Sequence, residues 1–116
     1  MSIEQQPGKT PLCSPPPPTW GELSPEGQRA TVVRFVVADR VVSFPTSELR
    51  RWEHVAGDPE VLTIQAGKEA IVVEGRELNV VRAALDLTSL CELRPNGERS
   101  HARPGPRVRR ITIEPA

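Results

Sequence analysis

Cys13, His54, Cys91 and His101 are the side chains of this sequence with the softest metal-ligating atoms, and the two histidines are its only ordinary neutral-pH bases. Structural zinc sites draw ligands in pairs about two to five residues apart, and these four are scattered over the whole chain. The spacing argues against a metal, leaving an exposed His101 and a half-buried His54, and no cofactor is expected. No G-x-S-x-G, H-E-x-x-H or G-x-x-x-x-G-K-[ST] motif accompanies them. Glu74-Gly75-Arg76-Glu77 concentrates charge, which a solvated strand-to-helix corner also explains. The sequence leans away from an enzyme without deciding the matter.

A sharper constellation lies near the C-terminus. Between Arg94 and Arg110, six arginines (Arg94, Arg99, Arg103, Arg107, Arg109 and Arg110) face one acid, Glu98, for a local charge of five positive. Arginines at that density can contact phosphates, and Pro104-Gly105-Pro106 can keep the segment extended. The segment has no aromatic residue for base stacking. Residues 30–92 carry seven bases and ten acids, so the arm can equally lie against its own domain. Charge beside a terminal strand also protects an edge from aggregation. Pro15 to Pro18 is a further interaction candidate, since a preformed polyproline II helix loses little entropy on docking. Composition alone favours a spacer.

The elements that must position these groups begin at Ala30. ATVVRFVV places Val33, Phe35 and Val37 on one face and Val32, Arg34 and Val36 on the other. Ala38-Asp39-Arg40 turns the chain into VVSF, a hairpin partner that Pro45 ends. Thr46–Val55 reads either as helix, with Leu49 and Trp52 on one face, or as strand; we expect a helical turn at 46–49, then a strand closed by Gly57-Asp58-Pro59. VLTIQ and AIVVE form a hairpin around Gly67, free to take positive φ.

After Gly75 the period changes to about 3.6. Leu78, Val81, Ala84 and Leu85 line one side, and Asn79, Arg82 and Asp86 lie opposite, which predicts a helix over 77–87 with a weak Arg82–Asp86 pair. Ser89–Leu93 and VRRITIEP complete the strands, with Ile111 and Ile113 facing inward.

With 116 residues the chain has room for one domain. Residues 1–28 hold seven of the thirteen prolines and lack apolar periodicity, so they are expected to be a disordered tail, with Trp20 and Leu23 as an optional local anchor. Residues 29–116 then form the domain, with an exposed Arg/Pro-rich loop at 95–107. The 15 basic and 15 acidic side chains cancel, giving no global attraction to nucleic acid or an anionic membrane. No run approaches the roughly 20 apolar residues of a membrane span, and MSIEQQPGKT lacks a secretory-signal layout, so a cytoplasmic location is expected.

The phrases SFPTSELRRWEHVAGDPEVLTIQAG and VVEGRELNVVRAALD resemble a group of small uncharacterised bacterial proteins that share an ELRRWE-like segment, a GDPE turn and a GR-x-L…ALD helix, over residues 31–94. The resemblance implies a fold unit and no activity. In shape alone, a bent sheet with one helix is similar to Sm-like RNA-binding rings, which place their helix first.

The expected fold is therefore α+β: a twisted antiparallel sheet of five to six strands, open or partly closed into a barrel, packed with one helix. The leading functional expectation is a non-enzymatic binding or scaffolding module that meets a protein partner or a second copy of itself. The alternatives are nucleic-acid binding through Arg99, Arg103, Arg107, Arg109 and Arg110, and a small enzyme or ligand binder with a pocket near Trp52 and His54. No membrane partner is expected.

Overall fold

The computed structural model describes residues 19–96 and 105–116. Its elements are β1 (Gly21–Leu23), β2 (Val32–Val37), β3 (Arg40–Pro45), a 3-10 turn (Thr46–Glu48), β4 (Leu49–Val55), β5 (Glu60–Ala66), β6 (Glu69–Arg76), helix α1 (Asn79–Asp86), β7 (Leu90–Leu93) and β8 (Arg107–Pro115). The α+β class holds, but the single sheet does not. Among the described residues eight strands form two open four-stranded sheets, ordered β1-β7-β2-β3 and β4-β5-β6-β8.

The division has a local cause. Pro45 supplies no amide to a ladder, and the 3-10 turn behind it redirects the chain, so β4 starts a second sheet instead of extending the first. The Thr46 hydroxyl fastens this corner by donating to the Ala30 and Thr31 carbonyls at 3.1 and 3.2 Å.

The first sheet is not wholly antiparallel. β2 pairs with β7 in parallel, Arg34 opposite Glu92 and Phe35 opposite Leu93. β7 also carries β1 on its other side, with Gly21 opposite Leu93. The expected tail is shortened accordingly: β1 is a strand, and Trp20 beside it is buried in the core. Residues 1–18 lie outside the described residues.

The two sheets bury their inner faces against each other. Val33, Phe35 and Phe44 of the first meet Leu62, Ile64, Ile71 and Val73 of the second in one core. The only pair of phenylalanines packs edge to face, ring centroids 5.9 Å apart. Helix α1 adds Val81, Ala84 and Leu85, preceded by Leu78, as its 3.6 period requires. Arg82 and Asp86 pair at 3.5 Å on its exposed side. The helix ends in a Schellman motif: Thr88 and Ser89 donate to the Leu85 and Ala84 carbonyls at 3.0 and 2.9 Å, with Thr88 at φ 56°.

In the second sheet, Gly67 at φ 60° makes the two-residue turn between Ala66 and Glu69. β6 then pairs with β8 through a bulge, because Glu74 lies opposite Arg110 while Gly75 lies opposite Val108. The extra residue, Arg109, changes the strand's parity. Val108 and Ile111, three residues apart, can thus both face the core, which strict alternation does not allow.

Gly75 is what permits this close approach, since a Cβ there would overlap the Arg107 carbonyl. Gly75→Ala is expected to lower unfolding free energy by about 1–3 kcal/mol or more in urea titration, whereas Gln65→Ala on the exposed face of β5 stays within about 0.5 kcal/mol. Thr88→Gly, which relieves the left-handed strain, is expected to raise it by up to about 1 kcal/mol. Equal stability of all the variants would contradict both readings.

Candidate functional site

Two of the candidate arginines, Arg109 and Arg110, line a groove of about 470 Å³ between β8 and the β2–β3 turn. Val37, Ala38 and Arg40 form one wall, Arg109 to Ile113 the other, and Pro95 closes an end. The turn wall exists because Val37 pairs with Arg40 directly, leaving a two-residue connection in which Ala38 takes φ 55°. The β8 wall is set by Asn96. Its side-chain oxygen accepts the Val108 amide at 2.7 Å and its own amide donates to the Val108 carbonyl at 3.0 Å. Its side-chain nitrogen reaches the Pro106 carbonyl and the Thr19 hydroxyl at 3.0 and 3.1 Å.

Arg40, Arg109 and Arg110 are exposed around this groove, and among the described residues none of them forms an ion pair. Val37 and Ile113 are half-buried, so the floor is apolar and the rim cationic. The bulge matters here, since it brings Arg109 and Arg110 out on adjacent residues. Arg107 is half-buried at the start of β8, opposite Arg76. Arg99, Arg103 and His101, with most of the expected 95–107 loop, lie outside the described residues, as does Cys13.

His54 and Trp52 sit elsewhere, on the inner side of β4, where they lie opposite Leu62 and Ile64. His54 Nε2 bonds to Glu60 Oε1 at 2.8 Å. The same carboxylate accepts the Glu77 and Leu78 amides, both at 3.1 Å, at the start of α1. These amides would otherwise be unpaired at the positive end of the helix. The bond to His54 holds the Glu60 carboxyl below its usual range; burial opposes it, and the Leu78 and Glu77 amides support it.

Trp52 Nε1 donates to Asp86 Oδ1 at 2.7 Å, tying β4 to the end of α1. A cavity of about 150 Å³ lies beside Trp52, walled by Val33, Leu49, Leu85 and Leu90, with Thr46 and Thr88. His54 does not line it. The structure therefore does not join Trp52 and His54 in one pocket: the histidine bonds to Glu60, and the cavity beside Trp52 is walled by other residues, Leu49 and Leu85 among them.

On the outer face of the first sheet, Arg34 reaches Glu92 and Glu22 at 3.1 and 3.2 Å, and Arg94 reaches Glu92 at 3.3 Å. These ions cross β2, β7 and β1. The Cys91 thiol beside them is pushed up by burial, opposite to what a reactive thiolate requires. Among the described residues no cluster of three or more His, Cys, Asp or Glu is placed to hold a metal. No helix among them is long and apolar enough to cross a membrane.

Of the groove residues, Arg109 and Arg110 are evident from charge density, while Arg40, Val37 and Asn96 are not. Arg40 lies some 70 residues before them in sequence, and only the meeting of the two sheets unites the walls. Asn96 carried one usable signal, its place in Pro95-Asn96-Gly97, which reads as a turn and turns out to be a clamp.

Because Glu60's carboxyl lies below its unfolded value, its bonds stabilise the fold at pH above that value, near 4.5, and the contribution is lost as pH falls through the folded value. Glu60→Gln is expected to cost about 1–2 kcal/mol at neutral pH, a deficit that shrinks below about pH 4.5 in denaturant titrations at stepped pH. A deficit that grows on acidification would refute the assignment.

With this geometry in place, comparison with known proteins finds no matching family model, curated protein or solved structure.

Proposed function

We propose that this chain is a non-enzymatic binding module whose working surface is the groove beside β8. One observation carries the reading: a nine-residue strand ends its sheet with an apolar floor and a rim of arginines engaged in no ion pair among the described residues. Protein surfaces that keep an apolar strip beside unneutralised charge do so at a cost in solubility and self-repulsion, which contact with a partner offsets.

The catalytic alternative lacks corresponding support. Active sites desolvate the groups that do chemistry, and among the described residues no polar or charged side chain is fully buried. Among the described residues the one carboxylate–histidine pair, Glu60 with His54, is occupied in holding the helix start.

Nucleic acid is disfavoured for a different reason. Arg107, Arg109, Arg110 and Arg40 supply charge, but no aromatic side chain lines the groove on which a base would stack. Self-association through β8 is disfavoured as well, because pairing two copies of this edge brings their arginines together. A protein partner is the reading that uses both the floor and the rim.

Selection of a random-peptide display library on the full chain tests this. Enriched peptides are expected to shift the backbone NMR resonances of Val37 to Arg40 and Arg109 to Glu114, and to bind about tenfold more weakly, a loss of about 1.4 kcal/mol, when Arg109 and Arg110 are both replaced by Ser. No enrichment, or shifts confined to Trp52 and His54, would count against the groove as the working surface.

A further inference from the structure

We infer that the groove's occupant is an extended acidic segment of a partner protein, added as a fifth strand along Arg109 to Glu114; the inference rests on reading the groove as the working surface. Three observations converge on it.

First, β8 is an end strand whose main chain already accepts pairing on its outer side. Asn96 takes the Val108 amide with its side-chain oxygen, at 2.7 Å, and the Val108 carbonyl with its main-chain amide, at 3.0 Å, so both outward groups of Val108 are bonded as a facing strand would bond them. Beyond Val108, among the described residues, no strand continues that pairing. A peptide entering beside Asn96 extends a ladder already begun and does not have to nucleate one. Strand addition of this kind draws affinity from main-chain bonds and specificity from alternate side chains.

Second, the alternation available to such a peptide is matched on both sides. Val37 and Ile113 offer an apolar wall to every second residue. The intervening residues face the cationic rim at Arg40, Arg109 and Arg110. Glu114 is exposed at the far end of β8, so the partner's acids belong at the Arg109 end and not there.

Third, the features that blunt this edge also select its occupant. A bulge at Arg109, paired arginines and Pro115 discourage indiscriminate strand pairing. The same arginines repel basic segments and a second copy of β8, and they attract carboxylates. The edge is thus closed to most strands and open to acidic ones.

The test uses the full chain and fluorescence anisotropy with pools of synthetic peptides that alternate apolar residues with Glu. Matched pools carry Lys in place of Glu, Gln in place of Glu, or methyl groups on alternate backbone nitrogens; single-stranded RNA is a further ligand. The Glu pool is expected to bind, to weaken as salt rises from about 50 to about 500 mM, and to lose about tenfold or more in affinity with backbone methylation or Lys. R109S/R110S, checked by circular dichroism for an unchanged fold, is expected to lose about tenfold as well.

No binding by the Glu pool, retention of binding by the methylated pool, or preference for RNA would overturn the inference. Tight binding of the Gln pool at Val37 to Arg40 and β8 by NMR would overturn only the acidic partner and leave the groove as the working surface. Absence of any ligand at β8, in this test and in the library selection, would overturn both.

Discussion

Everything in this fold depends on two sheets burying their inner faces against one another. Apolar burial contributes roughly 25 cal/mol per Å² removed from water, and neither four-stranded sheet has enough of it alone. Together they enclose Phe35, Phe44 and Trp20 among valines, leucines and isoleucines. With aromatics only 3% of the chain, small aliphatic side chains must fill the space, and they do so only when backbones approach closely. Within the second sheet, the bulge turns Val108 as well as Ile111 into the core, and there the β8 backbone passes too near Gly75 for a Cβ.

Closing the core at its open end falls to α1, and a short helix is poorly stable alone. It is therefore held at both ends by other elements. Glu60 on β5 takes the Glu77 and Leu78 amides, and Trp52 on β4 reaches Asp86 in the last turn. The residues that looked most like chemistry in the sequence, His54 and its neighbours, are spent on this attachment. The geometry of a carboxylate–histidine pair is present, and the same carboxylate holds the start of the helix.

Because the sheets remain open, the chain has strand edges to manage. β1 is only three residues long and carries little exposed ladder. β8 is the longest strand among the described residues, and the β2–β3 turn lies across a groove from it. The proposed working surface is a by-product of the architecture: β8 ends its sheet beside the β2–β3 turn of the other, and the margin between them is both apolar and cationic. Function is sought there because this margin sets an apolar floor beside arginines that form no ion pair among the described residues, whereas His54 and Glu60 are engaged at the start of the helix.

Strand and helix types were legible because period is a local property. Val33, Phe35 and Val37 announced their common face, the turn at Gly67 followed from its residue type, and the shift to a 3.6 period placed Val81, Ala84 and Leu85 inward. Pro45 could be read as a strand end. It could not be read as the boundary between two sheets, since a missing amide says where a ladder stops and not where the next one forms. The parallel pairing of β2 with β7 joins Arg34 to Glu92, 58 residues apart, through main-chain bonds that carry no residue code. β1 was hidden by the prolines on either side of it and by its length, and Trp20 entered the core only because β7 offered an edge to pair with. Likewise the arginines of β8 were evident as charge, but their opposing wall at Val37 and Arg40 was not. Sequence by itself determined which residues turn inward and where elements begin and end, through side-chain periodicity and turn chemistry. Tertiary structure alone decided which strands are neighbours and therefore where a groove lies, because hydrogen bonds between backbones are the same for every residue and only the packing of the shared core selects among them.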